Sequence, residues 1–115
     1  MFVLRWTTEA SAEYARLKSK AEAALGVRRQ QARAKSSRDE GLFKQVHKCV
    51  ALLAENPRHP GLHTHEYQSL THPFNPQEKV FEAYVQNRTP GAYQLFWCYG
   101  PEAGQITVVA ITPHP

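Results

Sequence analysis

The chain has 115 residues, a length that accommodates one domain with a single hydrophobic core. Apolar residues make up 42% of the sequence and charged residues 21%, a composition typical of globular proteins that argues against disorder of the whole chain. The formal net charge of +4 fits an acidic partner such as nucleic acid or an acidic protein, although many basic domains bind no polyanion. We therefore expect one domain over residues 1–115.

The two cysteines, Cys49 and Cys98, stand next to apolar residues, and their spacing fits no metal motif. We expect both to be buried, reduced thiols, which is typical of the cytoplasm, where disulfides are rare. The apolar segment at the start of the chain is too short for a signal peptide, and no apolar run approaches the ~20 residues of a membrane helix. The sequence predicts a cytoplasmic protein without a membrane segment.

The first half of the chain has the pattern of a strand followed by a helical hairpin. Phe2 to Trp6 predicts a strand, and Thr7 and Thr8 offer N-cap oxygens for a helix. Helical steps of three and four separate the apolar residues of the first helix (Tyr14, Leu17, Ala21, Ala24, Leu25) and of the second (Leu42, Val46, Cys49, Val50, Leu53). Residues 26–40 either continue the first helix or form a connection, and Asn56-Pro57 ends the second helix.

The second half has the pattern of strands separated by proline and glycine. Candidate strands span His65 to Leu70, Val80 to Gln86, Ala92 to Tyr99 and Gln105 to Thr112. Short connections predict that the last three form an antiparallel meander. Alternation predicts that Tyr93, Leu95, Trp97 and Tyr99 share one face of the sheet, whereas Gln94, Phe96 and Cys98 share the other. The expected fold is α+β: an N-terminal strand, a helical hairpin packed on one face, and an antiparallel sheet of about four strands.

Four segments of the chain resemble the RelE/ParE superfamily of bacterial toxins. "FVLRWTTEASAEYARL" resembles the first strand and helix of that family, and "ALLAENPRHPGLHTHEYQSL" resembles the end of its second helix and the strand that follows. "GAYQLFWCYG" resembles an aromatic-Arg-apolar strand, and "ITVVAITPHP" resembles the last strand with its catalytic tail. Together these segments cover nearly the whole chain and keep the family's order.

The resemblance implies the toxin of a type II toxin–antitoxin system, with a cognate antitoxin protein as partner and no cofactor. RelE-like and HigB-like members cleave mRNA on the ribosome, which implies an endoribonuclease that inhibits translation. ParE-like members instead poison DNA gyrase, so a non-enzymatic toxin or an inactive binding module with this fold is the alternative. Ribonuclease members need a base for the RNA 2′-hydroxyl, cations for the phosphate and an acid for the leaving oxygen.

The resemblance also selects candidate catalytic residues. His114 matches a terminal histidine of some members and is the first candidate for general acid or base, with a solvated tail residue as the alternative. Gln94 stands where the family usually has arginine; its amide can orient a phosphate by hydrogen bonding but cannot offset its charge. Glu82 and Tyr84 share one face of the neighbouring strand and are further candidates for base or acid.

Cationic residues supply the candidate RNA contacts. Lys79 and Arg88 lie near the predicted catalytic strands and would replace the charge of the missing arginine. Arg28, Arg29 and Arg33 could track phosphates, with a solvated helix face as the alternative. The pair His63 and His65 lacks further ligands at diagnostic spacing, so no metal site is predicted and a solvated loop is expected there.

Overall fold

A computed structural model of the chain describes residues 1–31, 37–86 and 91–113. None of the described helices is long and apolar enough to cross a membrane. The elements in chain order are β1 (Val3–Trp6), α1 (Thr8–Arg29), α2 (Arg38–Glu55), a 3-10 turn (Pro60–Leu62), β2 (His65–Tyr67), β3 (Val80–Tyr84), β4 (Tyr93–Tyr99) and β5 (Gln105–Pro113).

Helix α1 begins at a threonine cap that also ties it to the sheet. The Thr7 side chain accepts a hydrogen bond from the Ala10 amide, and its hydroxyl donates to the Val109 carbonyl at 2.7 Å. The helix continues through Gly26 to Arg29, which resolves the alternatives for its end. Because a 22-residue helix is roughly 33 Å long, its C-terminal end lies far from the strand to which Thr7 is bonded.

Helix α2 begins at a capping box that the sequence contains in full. The Ser37 hydroxyl accepts from the Glu40 amide at 3.2 Å, and the Glu40 carboxylate accepts from the Ser37 amide at 2.7 Å. The helix ends at Glu55, and Asn56 caps it before Pro57, as predicted. Its buried residues Val46, Cys49 and Leu53 belong to the stripe that the helical spacing predicted.

The sheet has five strands in the order β1-β5-β4-β3-β2. Strands β2 to β5 pair antiparallel, as expected, but β1 pairs in parallel with β5, so the sheet is mixed rather than wholly antiparallel. The expected α+β fold with about four antiparallel strands after the hairpin is therefore confirmed, and the parallel β1 is the one feature of the sheet that was not predicted. Tight turns join only antiparallel neighbours, whereas the helical hairpin acts as a long crossover that brings β1 alongside β5 in the same direction.

The two faces of the sheet differ in what covers them. Leu95, Trp97 and Val108 pack with Leu17 and Leu53 of the helices in the main core. Phe96 and Cys98 point the other way and pack with Val80 and Leu70 in a second, smaller cluster. The face assignment of β4 from alternation is therefore confirmed. We call the face opposite the helices the far face; strand pairing places Glu82, Tyr84 and Gln94 on it.

Candidate functional site on the far face

An imidazole–carboxylate pair joins the edge strand β2 to its neighbour β3 on the far face. His65 of β2 lies directly opposite Glu82 of β3. The His65 Nε2 atom is 2.7 Å from the Glu82 Oε1 atom, with the imidazole 41% exposed and the carboxylate side chain only 3% exposed. The pair thus has a solvent-facing end at His65 and a buried end at Glu82.

The hydrogen-bond partners of His65 fix where its protons lie. The Nδ1 atom is 3.1 Å from the His63 carbonyl, which can only accept, so Nδ1 carries a proton. The contact between Nε2 and a carboxylate oxygen is attractive only when a second proton lies between them. With a proton between them the pair is imidazolium with carboxylate or imidazole with carboxylic acid, and either form has a transferable proton. This is the arrangement that a general acid requires.

The ring of Tyr84 lies against two histidines. It stacks on the His63 ring at a centroid distance of 5.6 Å and meets the His65 ring edge-on at 5.5 Å. His63 is held in the left-handed region, with φ of 48°, at the end of the 3-10 turn. A non-glycine residue rarely adopts this conformation, and such strain is often found at functional sites. We call His63, His65, Glu82 and Tyr84 the histidine–tyrosine cluster.

Gln94 lies beside this cluster but is sealed from solvent. It pairs with Tyr84 on one side and Thr112 on the other. Its exposure is 0%, and neither amide atom, Oε1 or Nε2, has a hydrogen-bond partner within the described ranges. A buried amide without partners lowers the stability of the fold. A phosphate-orienting role for Gln94 stays a prediction, because in this conformation the amide does not reach the surface.

The predicted cations lie in two separate places. Arg28 forms an ion pair with Glu40 at 3.0 Å, at the end of the hairpin remote from the Thr7 cap, and Arg29 is exposed next to it. The hydrogen bond from Arg28, together with the Ser37 amide, lowers the pKa of Glu40. Lys79 precedes β3 and lies 3.5 Å from Glu66 of the edge strand. The structure therefore does not bring the Arg28 region together with the cluster.

Three predicted site residues, Arg33, Arg88 and His114, lie outside the described residues. Sequence reasoning treated His63 and His65 only as possible metal ligands, and it omitted Lys48. Lys48 and Tyr84 both line a hollow of about 150 Å³ between α2 and β3. The signal for Lys48 was its position beside Cys49 at the margin of the apolar stripe. Among the described residues, no group of three or more metal-ligating side chains converges.

Comparison with known proteins gives a structural likeness and no sequence match. No family model matches the sequence, and no curated protein matches it either. The structure is similar to a YoeB/ParE toxin from Agrobacterium tumefaciens, with a TM-score of 0.59 at 8% sequence identity. The alignment covers 97% of this chain and 98% of the toxin. At this identity the likeness concerns the fold, and the chain has the fold of the RelE/ParE-like toxins from its first strand to its last.

Proposed function

We propose that this chain is the toxin of a type II toxin–antitoxin system and acts in the cytoplasm as a metal-independent endoribonuclease on mRNA. The observation that carries the proposal is the 2.7 Å contact between His65 and Glu82 beside the Tyr84 ring. It supplies a transferable proton next to a partly exposed phenol, on the face of the sheet that the helices leave uncovered. The likeness of fold to a YoeB/ParE toxin supports the toxin part of the proposal.

The proposed reaction is transfer of the phosphate to the neighbouring 2′-oxygen. A base removes the 2′-hydroxyl proton, the oxygen attacks phosphorus, and the P–O5′ bond breaks as an acid protonates the leaving oxygen. The products are a 2′,3′-cyclic phosphate and a 5′-hydroxyl, and no redox partner is needed. We assign the acid to the His65–Glu82 pair, while Tyr84 and His114 are candidates for the base.

Charge on the phosphate has to be offset by cations near the cluster. Lys48 shares a hollow with Tyr84, and Lys79 is 63% exposed next to β3. We propose that these two lysines, with Arg88, take the part that arginine plays in the toxins that this chain resembles. Gln94 would then add a hydrogen bond to the phosphate after a local rearrangement that exposes its amide.

The test is cleavage of a single-stranded RNA by the purified chain in the presence of a chelator. We expect His65→Gln, Glu82→Gln and Tyr84→Phe each to lower the rate, since a positioned acid or base contributes ~100- to 10,000-fold. His47→Gln is the matched control, because His47 is an exposed imidazole that contacts Tyr14 and Phe43 rather than the cluster. Wild-type rates for His65→Gln and His114→Ala together, in variants with a native circular dichroism spectrum, would refute the catalytic proposal.

A second candidate is a toxin that binds its target without cleaving RNA. The burial of Gln94 favours it, because a neutral amide with 0% exposure stands where a catalytic arginine is usual in the toxins of the resemblance. If the toxin only binds its target, the variants His65→Gln and His114→Ala should arrest growth as strongly as the wild type. The purified chain should then also inhibit DNA supercoiling by gyrase. If the chain is a ribonuclease, it should have no effect on gyrase.

The proposed partner is a small acidic antitoxin that covers an edge of the sheet. Both edge strands are short, with four residues in β1 and three in β2, and Val3 on β1 is 60% exposed. An added strand or helix would satisfy the free backbone groups there and neutralise part of the charge of +4. Co-purification from the native operon tests this. Expression of the tagged chain without growth arrest and without a small co-purifying protein would contradict it.

A further inference from the structure

A second cavity, separate from the hollow at Lys48, has His63 in its lining. Its volume is about 440 Å³, within the range of small-molecule sites, and it lies where the segment from Pro57 to Thr64 passes the aromatic ends of β3 and β4. Phe81, Trp97 and Tyr99 line one side. Arg58, His59 and His63 line the other. Neither the candidate catalytic residues nor the proposed reaction accounts for this cavity.

The aromatic side is a layered stack. The Phe81 and Trp97 rings lie 4.8 Å apart with an interplanar angle of 27°, and the Tyr99 ring meets Trp97 edge-on at 5.0 Å. Tyr99 is 40% exposed although it is a large aromatic residue. Trp97 is 1% exposed, and its Nε1 atom has no hydrogen-bond partner within the described part of the chain. Tyr99 therefore offers an exposed π surface for stacking, and the Trp97 indole, with its unpaired donor, lies in the layer beneath it.

The opposite side of the cavity is cationic. Arg58 is exposed and forms no ion pair with any described residue. The His59 Nδ1 atom accepts from the Gly61 amide at 2.9 Å, so its other nitrogen is left as a donor. The described lining contains no carboxylate. An occupant that fits both sides has a flat aromatic part and an anionic part.

We propose that this cavity binds a nucleotide, with its base on the aromatic wall and its phosphate at Arg58. Base–aromatic stacking and charge-assisted bonds to phosphate are the usual means of holding single-stranded nucleic acid. The aromatic wall belongs to the helix-covered face of the sheet and Tyr84 to the far face, and His63 contacts both, since it lines the cavity and stacks on the Tyr84 ring. The cavity thus serves as the subsite for a base next to the cleaved bond. The assignment of the cavity as a substrate subsite rests on the proposed ribonuclease function. The assignment of a nucleotide as its ligand does not.

The experiment follows the Trp97 indole N–H resonance of the ¹⁵N-labelled chain while ligand is added. The sequence has two tryptophans, and Trp6→Phe assigns the signal. Adenosine and uridine 5′-monophosphates are compared with the matching nucleosides and with inorganic phosphate. We expect the monophosphates to move the resonance to saturation with a Kd below about 1 mM. Nucleosides should bind at least about 10-fold more weakly, and phosphate alone should leave the resonance in place.

Arg58→Ala and Tyr99→Leu test the phosphate contact and the base contact separately, and Lys18→Ala is the control. Arg58→Ala should weaken monophosphate binding about 10-fold and leave nucleoside binding unchanged, whereas Lys18→Ala, which removes an exposed cation on α1, should change neither. Tyr99→Leu should weaken both ligands by about 5- to 100-fold, the range of one base stacked on an aromatic ring.

No movement of the Trp97 resonance at about 10 mM monophosphate would overturn the assignment. Equal movement by inorganic phosphate alone, or tighter binding of an acidic aromatic peptide than of any nucleotide, would overturn it as well. Because binding is read without cleavage, nucleotide binding without RNA cleavage would refute the proposed function alone. Cleavage without nucleotide binding would refute the cavity assignment alone.

Discussion

The replacement Gln94→Met should make the protein more stable. Gln94 is 0% exposed, and neither of its amide atoms has a hydrogen-bond partner among the described residues. Each unsatisfied buried polar atom costs about 1–3 kcal/mol, and methionine has nearly the same length without that cost. Allowing for imperfect packing, we expect the free energy of unfolding to rise by about 2 kcal/mol.

Thermal and urea unfolding both measure this gain. For a chain of this length, 2 kcal/mol corresponds to a rise of about 8 °C in Tm, and the urea midpoint should rise at constant slope. Gln45→Met is the control, because Gln45 is exposed on α2 and its amide oxygen accepts only a 3.3 Å bond from Gln86. That variant should stay within about 0.5 kcal/mol of the wild type.

An unchanged or lowered stability of Gln94→Met would refute this reasoning, since it would mean that the amide is hydrogen-bonded in solution. The same variant also bears on function. If Gln94 orients the phosphate, Gln94→Met loses RNA cleavage while it gains stability. A buried polar group kept at a cost in stability is what a functional requirement would produce.

Three further predictions concern strain, thiols and pH. His63→Gly should be more stable than His63→Ala by about 1 kcal/mol, because only alanine keeps a side chain at positive φ; urea unfolding measures the difference. Burial raises the pKa of Cys49 to about 12 and of Cys98 to about 11, so neither thiol should react with a disulfide reagent near a pH of about 8 until the protein unfolds. Arg28→Ala should destabilise the protein at neutral pH, and the loss should shrink as the medium is acidified below about 4.3.

The sign of the last prediction follows from the lowered pKa of Glu40. A carboxylate with a depressed pKa stabilises the fold above its unfolded-state pKa and loses that contribution as the pH falls through its folded-state pKa. A gap between Arg28→Ala and the wild type that is independent of pH would assign the effect to packing. Equal stability of the two His63 variants would show that the left-handed conformation costs nothing, and rapid labelling of a native thiol would contradict the burial of that cysteine.

Local patterns predicted the elements because local interactions create them. Asn56-Pro57 was predicted to end α2 and does so, and the capping box that starts this helix likewise joins two residues only three positions apart, Ser37 and Glu40. The pairing of β1 with β5 was not legible, since it joins residues such as Val3 and Gln105 that share no local signal. For the same reason alternation predicted that Glu82 and Tyr84 share one face, as they do, but the contact of His65 with Glu82 depends on the register between two strands.

The parallel pairing of β1 with β5 sets the order in which the chain can fold during synthesis. Thr7 is hydrogen-bonded to Val109, 102 residues later in the chain. The first strand to be synthesised therefore cannot pair until the last strand has been synthesised. Contacts of such long range form slowly, because a long loop must close before they stabilise anything. On the ribosome, β1 therefore stays without its partner until translation has passed Pro113 and that segment has left the exit tunnel. Synthesis of the first strand and completion of the sheet are therefore separated in time.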